Sequence, residues 1–148
     1  MAHAIEARTP AHLWIVGVLS LLWNCVGGVD YTMTRLRNAD YLSQMGDANA
    51  ILAYIDGMPI YAQIGWGLGV WGALLGSVLL LMRSRFAVHA FAVSLAGAVI
   101  SLGAQYLGPP MPASMDSGMA KYMPIVIIVL AAAQLWYAAR VAKAGVLR

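Results

Sequence analysis

Between residues 22 and 41 the chain reads LWNCVGGVDYTMTRLRNADY. The stretch gathers an amide (Asn24), a carboxylate (Asp30), a hydroxyl (Thr34), two guanidinium groups (Arg35 and Arg37) and the rings of Trp23, Tyr31 and Tyr41 around Gly27 and Gly28. A carboxylate, a hydroxyl and a guanidinium at close spacing can hold a proton or cation, or bind the hydroxyls of a polyol between aromatic walls. A helix carried through to Tyr41 would place Asn24, Gly28, Tyr31, Arg35 and Asn38 on one stripe, and Trp23, Asp30, Thr34, Arg37 and Tyr41 on its neighbour. Asp30, Thr34 and Arg37 would then follow one another by about a turn, close enough for a hydrogen-bonded line. Gln63, Ser101 and Gln105, with Tyr61 and Tyr106, are expected at the same end of the molecule. The candidate ligand set is therefore Asp30, Tyr31, Thr34, Arg37, Gln63 and Gln105, suited to a small polar solute such as a sugar. The same residues can equally tie helix ends together.

Other chemistry is poorly represented. There is no HExxH, no pair of deep carboxylates and no serine or cysteine set beside a histidine, so no catalytic residue and no metal or cofactor site is expected. A membrane haem would need facing histidines at depth, whereas His3 and His12 lie in the leading segment and His89 near one end of a helix. Cys25 is the single cysteine. It allows no internal disulfide or CxxC site and reads as a small buried hydrophobe.

The elements that position these residues follow from composition. Of 148 residues, 61% are hydrophobic and 10% charged, against about 25% charged in a soluble domain. Such a chain cannot cover a water-facing surface, and lipid is the expected solvent. Four apolar runs, at about 13–30, 60–82, 86–107 and 122–140, approach the roughly 20 residues that cross a bilayer. Backbone groups find no water there, so helices are predicted. The fold class is an all-α membrane protein, a single four-helix bundle. Thr9 and Pro10 suit the start of the first helix, which is read as retained because no clear cleavage pattern follows it. A short extra helix is predicted over Ala48–Asp56, capped by Asp47, in the first external loop. GPPMP at 108–112 breaks the chain, and Pro124 is placed in the first turn of the last helix.

Four crossings put both termini on one side. Arg8, Arg83, Arg85, Arg140, Lys143 and Arg148 share it, while Arg35, Arg37 and Lys121 face the other. The positive-inside rule makes the richer side cytoplasmic. The net charge of +3 is scattered, which argues against a nucleic-acid partner. Asp30 lies about 25 Å along the first helix from Leu13, near the outer boundary. Asn24 is deeper, and Gln134 is its natural amide partner across an interface. Gly65, Gly69, Gly72 and Gly76 share one face of the second helix, as Ala90, Ser94, Gly97, Ser101 and Ala104 do on the third. Small faces let helix backbones approach in lipid. Gly28 is assigned to packing with them. The second-helix glycine face is also a candidate interface for a homo-oligomer.

At residues 23–41 the chain resembles a group of small proteobacterial four-span membrane proteins sharing WN-x-x-G-x-x-DY-x-MT-x-x-RN-x-x-Y. The matching residues are Trp23, Asn24, Gly27, Asp30, Tyr31, Met33, Thr34, Arg37, Asn38 and Tyr41. The resemblance extends to the Gly/Trp-rich second helix, the turn at 83–85 and the basic end at 145–148. Some members carry the label sugar transporter. The resemblance implies a multi-pass protein of the bacterial inner membrane and a sugar-class solute, carried by an oligomer because four helices enclose little space. The rival expectation is an accessory or assembly subunit of a larger membrane complex, with the outward polar segment as its docking surface.

Overall fold

The computed structural model describes residues 8–148; His3 lies outside them. In chain order the elements are α1 (Ala11–Arg35), α2 (Ala39–Ser43), α3 (Ala48–Asp56), α4 (Ile60–Leu81), α5 (Phe86–Leu107) and α6 (Met119–Lys143). Four of them (α1, α4, α5 and α6) are long and apolar enough to cross a membrane. Their length and apolarity are those of a multi-pass membrane protein. No strand occurs among the described residues.

The boundaries differ from expectation in informative ways. α1 runs unbroken through Gly27 and Gly28 but stops at Arg35. The amide of Asn38 bonds the Met33 carbonyl at 3.1 Å and that of Arg37 bonds Thr34 at 3.0 Å, with Arg37 at φ 57°. This is a Schellman ending with arginine in the left-handed position that glycine usually takes. The helix carried to Tyr41 is therefore overturned. Tyr41 belongs to α2, whose N-cap Asn38 accepts the Tyr41 amide at 2.9 Å. Asp47 caps α3 through Asn49 and Ala50. Pro10 is extended and precedes α1 as its cap residue, with no side-chain cap from Thr9. α6 starts at Met119, so Pro124 sits in the helix interior, where its missing N–H removes one bond of the ladder.

Packing is inverted relative to a soluble bundle. Leu22, Val26, Ile64 and Ile125 face outward, while Ala, Gly and Ser fill much of the interior. α4 and α5, joined by the tight turn at 83–85, form the most intimate pair. A Cβ on Gly65 would come within 2.8 Å of the Gly97 carbonyl, one on Gly72 within 3.1 Å of the Ala90 carbonyl, and one on Gly76 within 2.7 Å of Phe91. A Cβ on Gly69 would lie 3.3 Å from the Ala98 nitrogen, and the Gly69 carbonyl accepts the Ser94 hydroxyl at 2.6 Å. These four glycines are engaged inside the chain, which removes the glycine face as an exposed oligomer interface. Gly28 differs from them: a Cβ there would meet only Leu74, at 3.8 Å, so no close approach depends on it. Cys25 is exposed on the outer face of α1 rather than buried.

α1 leans on α4 and α6 on α5, while α1 and α6 meet through side chains. One bundle end is filled by a cluster of Leu13, Leu80, Ala87, Phe91, Ala138, Val141, Val146 and Leu147. Beyond α6 the chain turns at Gly145 (φ 76°) and folds back. Arg148 donates its amide to Arg83 at 2.7 Å and accepts that of Arg85 at 2.8 Å. The tail thus closes the basic end of the bundle.

Candidate functional site

Two polar systems emerge, one inside the bundle and one at the end opposite the tail. Inside, Asn24 is 7% exposed. The two hydrogens of its Nδ2 are shared among three acceptors, the Ala73 carbonyl at 3.0 Å, Ser77 Oγ at 2.7 Å and Gln134 Oε1 at 3.3 Å. A carbonyl can only accept, which orients the Asn24 amide with its NH2 toward α4. Ser77 donates to Ala73 O at 2.9 Å, leaving its oxygen free to accept from Asn24. The result is a three-helix junction of α1, α4 and α6 in an apolar setting. Ser77 was not singled out in the sequence; its position four residues after Ala73 was the only available signal.

At the other end the expected ligand residues are brought near one another but pair off. Asp30 accepts the Tyr41 hydroxyl at 2.7 Å. Tyr41 reaches it because α2 folds back; on a continuous helix eleven residues would separate them by about 16 Å. Burial, then the hydrogen bond and charge of Asp30, push the Tyr41 phenol up to about 12. Arg37 grips Asp56 with two bonds, at 2.8 and 3.1 Å. That hydrogen-bonded pair lowers the Asp56 carboxyl and raises the Arg37 guanidinium. Both side chains are about half exposed, at 55% and 54%, so the pair fixes geometry more than it adds stability. Arg35 donates to Gln63 Oε1 at 3.0 Å, and Gln63 Nε2 donates to the Met58 carbonyl at 3.0 Å. Tyr31 packs edge-on against Trp66, with centroids 4.6 Å apart, and against Trp71 at 5.9 Å.

The hydrogen-bonded line Asp30–Thr34–Arg37 is not formed. Thr34 is buried, and its hydroxyl joins neither neighbour. Arg37 leaves the helical stripe because its backbone has turned left-handed. Gln105 joins none of these bonds and lines, with Tyr54, Met58 and Pro109, a cavity of about 20 Å³. That holds about one water, far below the 300 Å³ at which ordinary ligand pockets begin. No cluster suited to a metal ion occurs among the described residues. The sequence missed Tyr41 and Asp56 as partners because both are defined by the fold of the loop. Asn38 before Ala39-Asp40 was the legible cue to a new helix start.

Comparison with protein-family models, curated proteins and solved structures gives no match.

Proposed function

We propose that the protein is a membrane-embedded interaction subunit. Its bundle holds a preformed helical cap, α2 and α3, for a partner in a larger membrane complex. The observation that carries this reading is that the polar and aromatic residues Asn24, Asp30, Tyr31, Arg37, Asn38 and Tyr41 of the 23–41 motif have partners within the chain. Asn24 binds Ser77, Asp30 binds Tyr41, Tyr31 packs on Trp66, Arg37 binds Asp56, and Asn38 caps α2. A motif built this way is a clasp that fixes the cap on the bundle. It gives a structural reason for the resemblance to the four-span family, in which we place the chain as part of this proposal.

The sugar-class carrier that the resemblance implies has less support. Asp30, Arg37 and Gln63 already have partners, and the cavity beside Gln105 holds about one water. By contrast, Leu36 (72% exposed) and Leu107 (91% exposed) offer apolar surface at the end that carries the cap. With the basic end cytoplasmic by the positive-inside rule, the cap faces outward, and in a bacterium the membrane is the inner one.

The test is crosslinking and mass spectrometry after purification from native membranes, with photoreactive residues at Leu36 and Met45. A stoichiometric partner crosslinked at these positions supports the proposal. Isolation as a homo-oligomer without a partner, together with labelled-sugar uptake above that of empty vesicles, overturns it.

A further inference from the structure

The basic end of the bundle holds a second feature, independent of the cap. Where α1 begins and α6 ends, a groove of about 440 Å³ opens between them. Arg8 and His12 line one wall, and Trp136, Tyr137 and Arg140 the other, with Val146 of the folded-back tail also lining it. Val146 is 6% exposed, so its apolar surface is already settled in the core. Arg140 places its guanidinium carbon 5.2 Å from the centroid of the Trp136 ring. The His12 ring contacts the Tyr137 hydroxyl across the seam.

Three features give the groove a chemical identity. It carries two guanidinium groups and an imidazole, and no carboxylate among its described lining residues. Neither Arg8 nor Arg140 is in an ion pair among the described residues. The rest of the lining is apolar or aromatic, and the groove sits where the apolar run of α1 begins. Its volume falls within the range of ordinary ligand sites, unlike the cavity at the other end.

We propose that this groove binds the anionic phosphate head group of a membrane phospholipid. The guanidinium groups of Arg8 and Arg140 hold the phosphate, the form of contact at which arginine excels. Trp136 lies beside the glycerol and upper acyl region, the position an amphipathic ring favours at a membrane interface. Basic pockets between membrane helices recognise anionic head groups by this combination. The location adds a structural consequence. α1 and α6 are the first and last helices, and they meet through side chains rather than close backbone packing. A head group gripped from both sides bridges that seam.

The experiment uses the full chain in mild detergent. Phosphatidylglycerol, phosphatidylcholine and inorganic phosphate are added separately, and retained lipid is read by native mass spectrometry alongside the melting temperature. Each basic residue near the membrane surface contributes roughly fivefold to anionic-lipid affinity. Wild-type protein is therefore expected to prefer phosphatidylglycerol over phosphatidylcholine by roughly 25-fold, less at high salt. The double variant Arg8→Gln/Arg140→Gln should bring the preference close to parity, while Lys121→Gln, exposed at the opposite end, should leave it unchanged. Equal retention of the two lipids by wild-type protein overturns the proposal without recourse to any variant. Full stabilisation by inorganic phosphate alone overturns the lipid assignment, and an equal loss in the Lys121→Gln control overturns the assignment to this groove.

Discussion

Replacing Gly97 by alanine tests whether the α4–α5 pair sets the stability of the bundle. A Cβ at this position would lie 2.5 Å from the Gly65 carbonyl oxygen, 2.8 Å from the Gly69 nitrogen and 3.0 Å from Leu68 Cβ. The two nearest atoms are backbone, so no rotamer change can relieve the overlap. Restoring ordinary contact requires the helices to part by about 0.9 Å, a gap that forfeits a quarter to a half of the dispersion attraction of the atoms it separates. The 2.6 Å bond from Ser94 Oγ to the Gly69 carbonyl would stretch toward the limit of a hydrogen bond. Overpacking costs about 1–3 kcal/mol, the stretched bond about 1 kcal/mol, and alanine's better helix propensity returns up to about 1 kcal/mol. The net expectation is about 1–3 kcal/mol, a drop of roughly 5- to 150-fold in the folded fraction ratio. Reversible denaturant unfolding in mixed micelles would measure it. Gly27→Ala supplies the control, because a Cβ there meets nothing within 4 Å, and that variant should be neutral or slightly more stable. A Gly97→Ala protein as stable as the Gly27→Ala protein would refute the close-packing argument.

Three further outcomes follow from the hydrogen-bonded systems. Asn24→Ala should cost about 1 kcal/mol in the same unfolding assay, the usual scale of an interhelical bond in a membrane, and no change would mean that the junction with Ser77 and Gln134 adds nothing. Tyr41 has a folded pKa of about 12, above its ordinary 10, so its contribution is complete below pH 10 and is lost as pH rises from 10 to 12. Full conversion of that shift would give about 2.7 kcal/mol, and screening at a partly exposed site reduces it to about 1 kcal/mol. Tyrosinate absorbance of wild type minus Tyr41→Phe should show the high pKa, and Asp30→Asn should lower it only partway toward 10, because burial is the larger cause. Arg83→Ala should destabilise more than Arg83→Gly by about 1 kcal/mol, since both lose the side-chain bond but only glycine relieves the left-handed backbone; thermal unfolding showing the reverse order would remove strain from the account.

Much of the helical framework was legible because its signals are local and composition-driven. The limits of α5 coincide with the apolar run, and the small-residue faces of α4 and α5 were legible as packing surfaces because spacings of three and four put their members on one side of a helix. Asn24 and Gln134 are the two deep amides, and each needs a partner in an apolar setting whatever the fold. The outer end was misread for an equally physical reason. A stripe computed through residue 41 assumes that the backbone stays right-handed, yet no glycine or proline marks the end of α1 at Arg35. The reversal sits on an arginine, a residue that carries no turn signal. Once the chain reverses there, Asp30 meets Tyr41 instead of Thr34, and Arg37 meets Asp56. The tail was equally hidden. Gly145 is a recognisable helix stop, but nothing local says that Val146 and Leu147 belong in the core.

The two left-handed arginines explain how the ends of the bundle are fastened. Arg37 follows α1 and Arg83 follows α4, each at the residue where glycine would relieve roughly 1 kcal/mol of strain, and Gly145 shows that this chain uses glycine at the equivalent position after α6. What separates the three positions is what the side chain reaches. Arg37 binds Asp56 and thereby anchors the end of α3 to the end of α1. Arg83 Nε donates to the Val146 carbonyl at 3.2 Å while its own carbonyl takes the Arg148 amide, so one residue holds the folded-back tail through side chain and backbone together. No side chain is required beyond Gly145, where the chain has only to turn inward. Backbone strain is therefore accepted where a long cationic side chain can bind the next segment, and is avoided where it cannot. It follows that the cap is fixed from the end of α1 and the tail from the end of α4, while the α1–α6 seam, with its groove beside Arg8 and Arg140, is secured by side chains.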